Sequence, residues 1–183
     1  GKAHKIFENK LDRKFNEVHE KNRVWCTDFT YLFLSNGSKR YNCTIIDLYD
    51  RSVIASLNGK SITSELAIKT IKQALAKHKP CKKGLMIHSD QGSQFTSKEF
   101  IDFCKLMGIE QSMSKAGCPY DNAPMERFYN TLKNELTNLY SYHNDDQLNK
   151  SIYDFSLIWY NHRRPHSHHN GLTPYQIRMS KNK

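Results

Sequence analysis

Residues 24–57 read VWCTDFTYLFLSNGSKRYNCTIIDLYDRSVIASL, and this stretch decides the fold class. Residues 24–34 are rich in aromatic and β-branched side chains and run into Asn36-Gly37, so they read as a strand and a turn. Residues 41–48 and 52–57 repeat the strand composition, and the Asp50-Arg51 step between them predicts a tight connection. Three strands joined so closely form an antiparallel meander. Downstream the period changes: Ile62, Leu66, Ala67, Thr70, Ile71, Ala74, Leu75 and His78 share one helical face, with Pro80 just beyond. Residues 85–88 predict a fourth strand and residues 109–113 a fifth. Between them, Thr96-x-x-Glu99 has capping-box spacing for a helix that carries Phe100, Cys104 and Met107 and stops at Gly108. Asn122 is placed to cap a long helix with Met125, Phe128, Tyr129, Leu132, Leu136 and Leu139 on its buried side. A last helix begins near Asp145 and carries Leu148, Ile152, Phe155 and Trp159. A meander followed by alternating helices and strands is an α/β fold, a five-stranded mixed sheet flanked by helices. Residues 1–20 read as an N-terminal lead segment and 21–183 as a single core of one-domain size.

Composition narrows the function classes. Lys and Arg outnumber Asp and Glu by 28 to 18, a balance that favours a polyanionic partner. The five cysteines are odd in number, widely spaced and free of any C-x-x-C pair, so they read as buried thiols of a reducing, cytoplasmic setting. No run of about 18 apolar residues is present, which predicts no membrane partner. The chain opens on Gly1, so flanking sequence is expected in the natural protein.

Three acids stand out. Asp28 lies in the most hydrophobic strand of the chain, where an ionised carboxylate without compensation is costly. Asp90 follows the fourth strand within His88-Ser-Asp90-Gln-Gly, at a glycine-containing turn that can present a carboxylate at the sheet edge. Glu126 sits in the first turn of the long helix. Converging at the strand ends, the three make an all-oxygen site suited to hard cations such as Mg²⁺ or Mn²⁺. Each also has a plainer reading: Glu126 complements a helix dipole and Asp90 shapes a turn.

The segments Trp25-Cys-Thr-Asp28-Phe-Thr-Tyr31, His88-Ser-Asp90-Gln-Gly-Ser-Gln-Phe-Thr-Ser97 and Asn122-Ala-Pro-Met-Glu126-Arg-Phe resemble the integrase core of bacterial insertion-sequence transposases. Thirty-five residues separate Asp90 from Glu126, the interval of that family and of the retroviral integrases. A fourth block, Tyr160-Asn-His-Arg-Arg-Pro-His166 with Leu172-Thr-Pro174, is similar to the closing signature of insertion-sequence family three. The likeness spans residues 9–176. Gln91 departs from it where relatives often carry Arg, and His169 stands where an aliphatic residue is expected.

The resemblance implies a ribonuclease-H-like strand order, residues 21–183 as an integrase-like catalytic core, and DNA cleavage followed by 3′-OH strand transfer. It implies that Asp28, Asp90 and Glu126 hold two divalent ions, Mg²⁺ or Mn²⁺, with Asp28 bridging them. The partners implied are transposon-end and target DNA, engaged by a homodimer or larger assembly. Asn122, Asn130, Lys133, Arg163, Arg164 and His166 are the expected DNA contacts, Lys133 because integrases place a basic residue seven positions after the glutamate. The histidines of residues 162–169 lack acidic or cysteine support and make a weak zinc site. Asp47 matches a position with no catalytic role and reads as structural. Two alternatives remain open: a metal-dependent nuclease of the same fold that does not join strands, and an inactive DNA-binding or assembly module.

Overall fold

The computed structural model describes residues 5–180. Five strands, β1 (Val24–Phe33), β2 (Lys39–Asp47), β3 (Val53–Gly59), β4 (Leu85–Ser89) and β5 (Ile109–Met113), form one sheet in the order β3-β2-β1-β4-β5. The meander is as expected. β1 and β2 pair antiparallel from Trp25 opposite Asp47 to Phe33 opposite Lys39, across a turn in which Gly37 takes the left-handed φ of 80°. β4 then adds in parallel to the other edge of β1, and β5 in parallel to β4.

The first half of central β1 is covered on both faces, which explains why Val24, Trp25 and Cys26 are all apolar and buried. Neighbouring residues point to opposite faces, so Trp25 enters the core under α1 (Ser64–Lys77) and α3 (Lys98–Leu106), together with Ile45, Ile71 and Phe100. Val24, Cys26 and Leu32 enter the other core, packed with Met125, Phe128 and Leu132 of α4 (Ala123–Leu132) and Leu148 and Ile152 of α5 (Asp145–Tyr153). The lead segment packs there too, with Leu11 buried in that second core.

Several local expectations are corrected. A short helix, α2 (Ser93–Thr96), abuts α3, so the cap moves by one residue: the Ser97 hydroxyl accepts from the Phe100 N–H. The Thr96 hydroxyl turns back to the Gly92 carbonyl, and Glu99 accepts from Ser64 on α1. Met107 is exposed beyond the helix end. α4 continues into a π turn, Lys133–Thr137, and α5 into a π segment, Asp154–Trp159, followed by α6 (Tyr160–His162). A π turn adds a residue per turn and rotates the apolar stripe off its register. Leu139 and Trp159 therefore emerge on the surface instead of in the core. Of the five thiols, Cys26, Cys43 and Cys104 are buried, while Cys81 and Cys118 are only half-buried.

Candidate active site

The parallel pairing of β1 with β4 places Cys26 beside His88. Two residues further along each chain lie Asp28 and Asp90, which become neighbours at the C-terminal end of β4. Both share the strand parity of Cys26 and His88, so both face the side covered by α4. Asp28 is half-buried, and its Oδ1 accepts the Phe29 N–H at 2.7 Å. Burial first, and then the charge of Asp90, push its pKa up from 3.8 to about 7. The Asp90 Oδ1 accepts the Gly92 N–H at 2.9 Å, which shapes the turn after β4.

Two side chains lock α4, the bearer of Glu126, onto the backbone around Asp28. Asn122 Nδ2 donates to the Thr27 carbonyl at 3.2 Å. The Tyr129 hydroxyl donates to the Asp28 carbonyl at 2.7 Å and accepts from the Thr44 N–H at 3.1 Å, bridging β1 and β2 from within the core. Asn122 thus stands at the start of α4 but spends its side chain on β1 and makes no capping bond. Its Oδ1 is buried without a hydrogen-bond partner among the described residues. Replacing Tyr129 by Phe leaves a buried N–H and a carbonyl short of a partner, so chemical denaturation should show a loss of about 1–3 kcal/mol. An unchanged midpoint would mean that the hydroxyl does not hold the helix.

The approach to α4 is pinned as firmly. The Ser112 hydroxyl accepts the N–H groups of Lys10 and Leu11 and lies 2.9 Å from His88 Nδ1, to which it donates. That leaves His88 Nε2 to donate to the Asp121 carbonyl at 2.9 Å. Burial holds this ring neutral, lowering its pKa to about 4. The Asp121 carboxylate accepts from Arg13, Asn9 and the Lys115 N–H, so the lead segment buttresses the loop that delivers Asn122 and Glu126.

Asp28, Asp90 and Glu126 line a single cavity of about 570 Å³, along with Gln91, Asn122, Asn130 and Lys133. Gln91 donates to the Ser114 carbonyl across the cavity wall. Lys133 Nζ lies 4.7 Å from the centre of the Tyr31 ring. Among the described residues, no three His, Cys, Asp or Glu side chains stand together as a ready-made metal cage. The donor chemistry nonetheless fits a hard divalent cation: the acidic donors are all carboxylate oxygens, and no lysine or arginine is ion-paired with Asp28 among the described residues.

The remaining expected DNA contacts divide. Arg163 is exposed but lies outside this cavity. Arg164 grips Glu135 through two parallel bonds of 3.0 and 2.6 Å, which occupies its fork. His166 is only 6% exposed, packed edge-on against the Tyr160 ring with Nε2 at 3.3 Å from the Tyr160 carbonyl. The Tyr160 to His166 block folds onto itself, Asn161 pairs with both backbone groups of Val53, and His166 lines a separate cleft with Arg164. His169 is buried as well, with Nε2 at 2.7 Å from the Asp50 carbonyl. Asp47 does not line the cavity and pairs with Arg178. Sequence reasoning missed Tyr129 as a clasp because a tyrosine in an apolar stripe reads as core. It missed Asp121 because its partners lie about a hundred residues away.

A 3-2-1-4-5 sheet that brings an acid from the middle of β1 beside one just after the parallel strand β4, with a third acid on the covering helix, defines the ribonuclease-H-like class. Comparison with known proteins narrows it. The profile described as Integrase core domain matches residues 18–119, and a second profile of the same description matches 107–174. The chain belongs to the integrase core domain family. It is 37% identical to the transposase for insertion sequence element IS904 of Lactococcus lactis, over 80% of this chain and 57% of that protein. It is 36% identical to an uncharacterized 31 kDa protein of insertion element IS600 from Shigella sonnei, over 86% and 57%. It is 31% identical to transposase InsF for insertion sequence IS3A of Escherichia coli, over 94% and 59%. The chain therefore spans under two thirds of the length of these relatives.

Among solved structures, the simian T-cell lymphotropic virus intasome superposes with a TM-score of 0.74 at 23% identity, over 98% of this chain and 65% of that one. The HTLV-2 integrase catalytic core domain in complex with magnesium gives 0.65 at 25%, over 85% and 95%. No helix among the described residues is long and apolar enough to cross a membrane.

Proposed function

We propose that this chain is the catalytic domain of an insertion-sequence transposase that cuts DNA and joins the freed 3′-OH to a second phosphodiester. One observation carries the reading: Asp28, midway along β1, and Asp90, just after β4, line one cavity, and Glu126 completes its wall. Asp28, Asp90 and Glu126 would hold divalent ions, Mg²⁺ or Mn²⁺ and two in the working complex. Such ions, when bound, activate the attacking oxygen and offset charge on the phosphate. The chain supplies the rest. Asn122 and Tyr129 fix the height of α4 above Asp28, and half-buried Asp28 sits where water is partly excluded. Asn130 and Lys133 line the same cavity and are placed to contact the phosphodiester backbone.

Attack by water breaks one phosphodiester and leaves a 3′-OH. Attack by that hydroxyl on another phosphodiester makes one ester bond as it breaks one, so joining requires no ATP. Because two DNA ends must meet, the working form is a dimer or larger assembly on DNA. The test offers the protein a duplex with a pre-cut 3′-OH end and a target duplex in Mn²⁺, with Asp28→Asn as the inactive control. Longer, joined strands support the transposase. Shortened strands alone would assign a nuclease, and DNA binding with neither product a non-catalytic module.

A further inference from the structure

The acids occupy one flank of α4; the other flank opens on a cleft of about 280 Å³ with the opposite charge. Arg127 and Thr131 reach it from α4, Arg51 from the β2–β3 turn, and Arg164 and His168 from the segment after α6. Arg51 is fixed there by bonds to the carbonyls of Leu48 and Phe15, at 2.6 and 2.9 Å. Arg127 is exposed and makes no ion pair among the described residues. The one acid nearby that forms an ion pair, Glu135, is committed to Arg164. Desolvation chiefly, with smaller contributions from Arg51, His169 and Arg127, lowers the His168 pKa to about 4.

The cleft is continuous with the acid site. A third concavity runs over the exposed face of α4, sharing Glu126 and Asn130 with the acid cavity and Arg127 and Thr131 with the cleft. Arg127, which makes no ion pair among the described residues, faces this concave wall beside the positive charges of Arg51 and Arg164, a setting that suits a tetrahedral oxyanion better than a neutral ligand. We propose that this cleft binds a backbone phosphate of the same DNA strand whose reacting phosphodiester lies at Asp28, Asp90 and Glu126. The assignment rests on the transposase reading. A helix is about 10 Å across, and a strand advances about 3.4 Å per nucleotide, so the second phosphate lies about three nucleotides from the first.

The experiment measures binding of fluorescent duplex oligonucleotides to the wild-type chain and to Arg127→Ala across a salt series. Each phosphate near the cut is replaced in turn by an uncharged methylphosphonate. Loss of one phosphate contact lowers the slope of log K against log salt by about 0.9, so Arg127→Ala is expected to show that decrease with an unchanged melting temperature. One methylphosphonate, two to four nucleotides from the cut, should weaken wild-type binding several-fold and leave Arg127→Ala no weaker than before. Thr131→Glu, which puts a carboxylate into the cleft, should weaken binding further.

Equal slopes for wild type and Arg127→Ala, or additive losses at every methylphosphonate, would overturn the assignment. Inorganic phosphate serves as a separate probe: if it raises the wild-type melting temperature, but not that of Arg127→Ala, while DNA binding is indifferent to both variants, the cleft takes a free anion and the proposal falls. A wild-type chain that binds no DNA would remove the transposase reading as well. Intact wild-type binding with indifferent variants would remove the cleft alone.

Discussion

Asp28→Asn should make the metal-free protein more stable while costing at least about a thousandfold in metal-dependent cleavage. The stability gain follows from where Asp28 sits. Burial and Asp90 raise its folded pKa from 3.8 to about 7, so between those values the unfolded chain releases a proton that the folded chain keeps. Stability from this group is therefore fully present below about pH 4 and is lost as pH rises through 7. Asparagine removes the charge and with it the cost, on the order of 2 kcal/mol once screening of a half-buried group is allowed for. Urea melts in chelator at pH 8 should show the variant ahead of wild type, with the gap closing at pH 5. A variant no more stable at pH 8 would mean that Asp28 is compensated by a group other than a metal ion. On the proposed function, stability is sacrificed at this position for a negative charge that would hold the metal ion.

The second large effect is expected at Arg178, on α7 (Pro174–Met179), whose guanidinium closes a buried acidic pair. Asp47 and Asp50 are both fully buried, and Arg178 Nη1 reaches their carboxylates at 3.0 and 2.7 Å. Its Nη2 donates to Asn22 at 2.9 Å. Arg178→Met strands two carboxylates in the core, and losing one partner of such a cluster costs about 3–5 kcal/mol. Asp47 already titrates high, at about 6, because burial and then Asp50 outweigh the pull of Arg178. Without the arginine its pKa rises further above 6, so the variant should be most stable below about pH 4 and lose stability as pH climbs from there through that higher folded pKa. Asp50→Asn in the Arg178→Met background should restore part of the loss. A single variant within 1 kcal/mol of wild type would show that the carboxylates are satisfied without the arginine.

The meander was legible because each of its strands announces itself by composition and each turn by its residues. Addition of β4 to β1 was not, since periodicity says nothing about which strands pair across an intervening helix. The acids follow the same division. Asp28 betrays itself as a charge among Trp25, Cys26 and Phe29, whereas Glu126 is an exposed first-turn glutamate like many others. Only the family likeness tied it to the other two. The π turns at Lys133–Thr137 and Asp154–Trp159 leave no compositional mark, so the apolar stripes were extended too far, to Leu139 and Trp159. The block from Tyr160 to His166 hides its packing in the same way: nothing in its composition shows that Tyr160 draws His166 inward or that Glu135 engages Arg164.

The clasp between α7 and the β2–β3 turn also sets a timetable for biosynthesis. Arg178 follows Asp47 by 131 residues, a delay of roughly 7 to 26 s at a ribosome adding about 5–20 residues per second. Throughout that interval the emerging hairpins carry two inward-facing anions with no arginine to neutralise them. The nascent domain thus waits, half-assembled, for α7 to leave the exit tunnel.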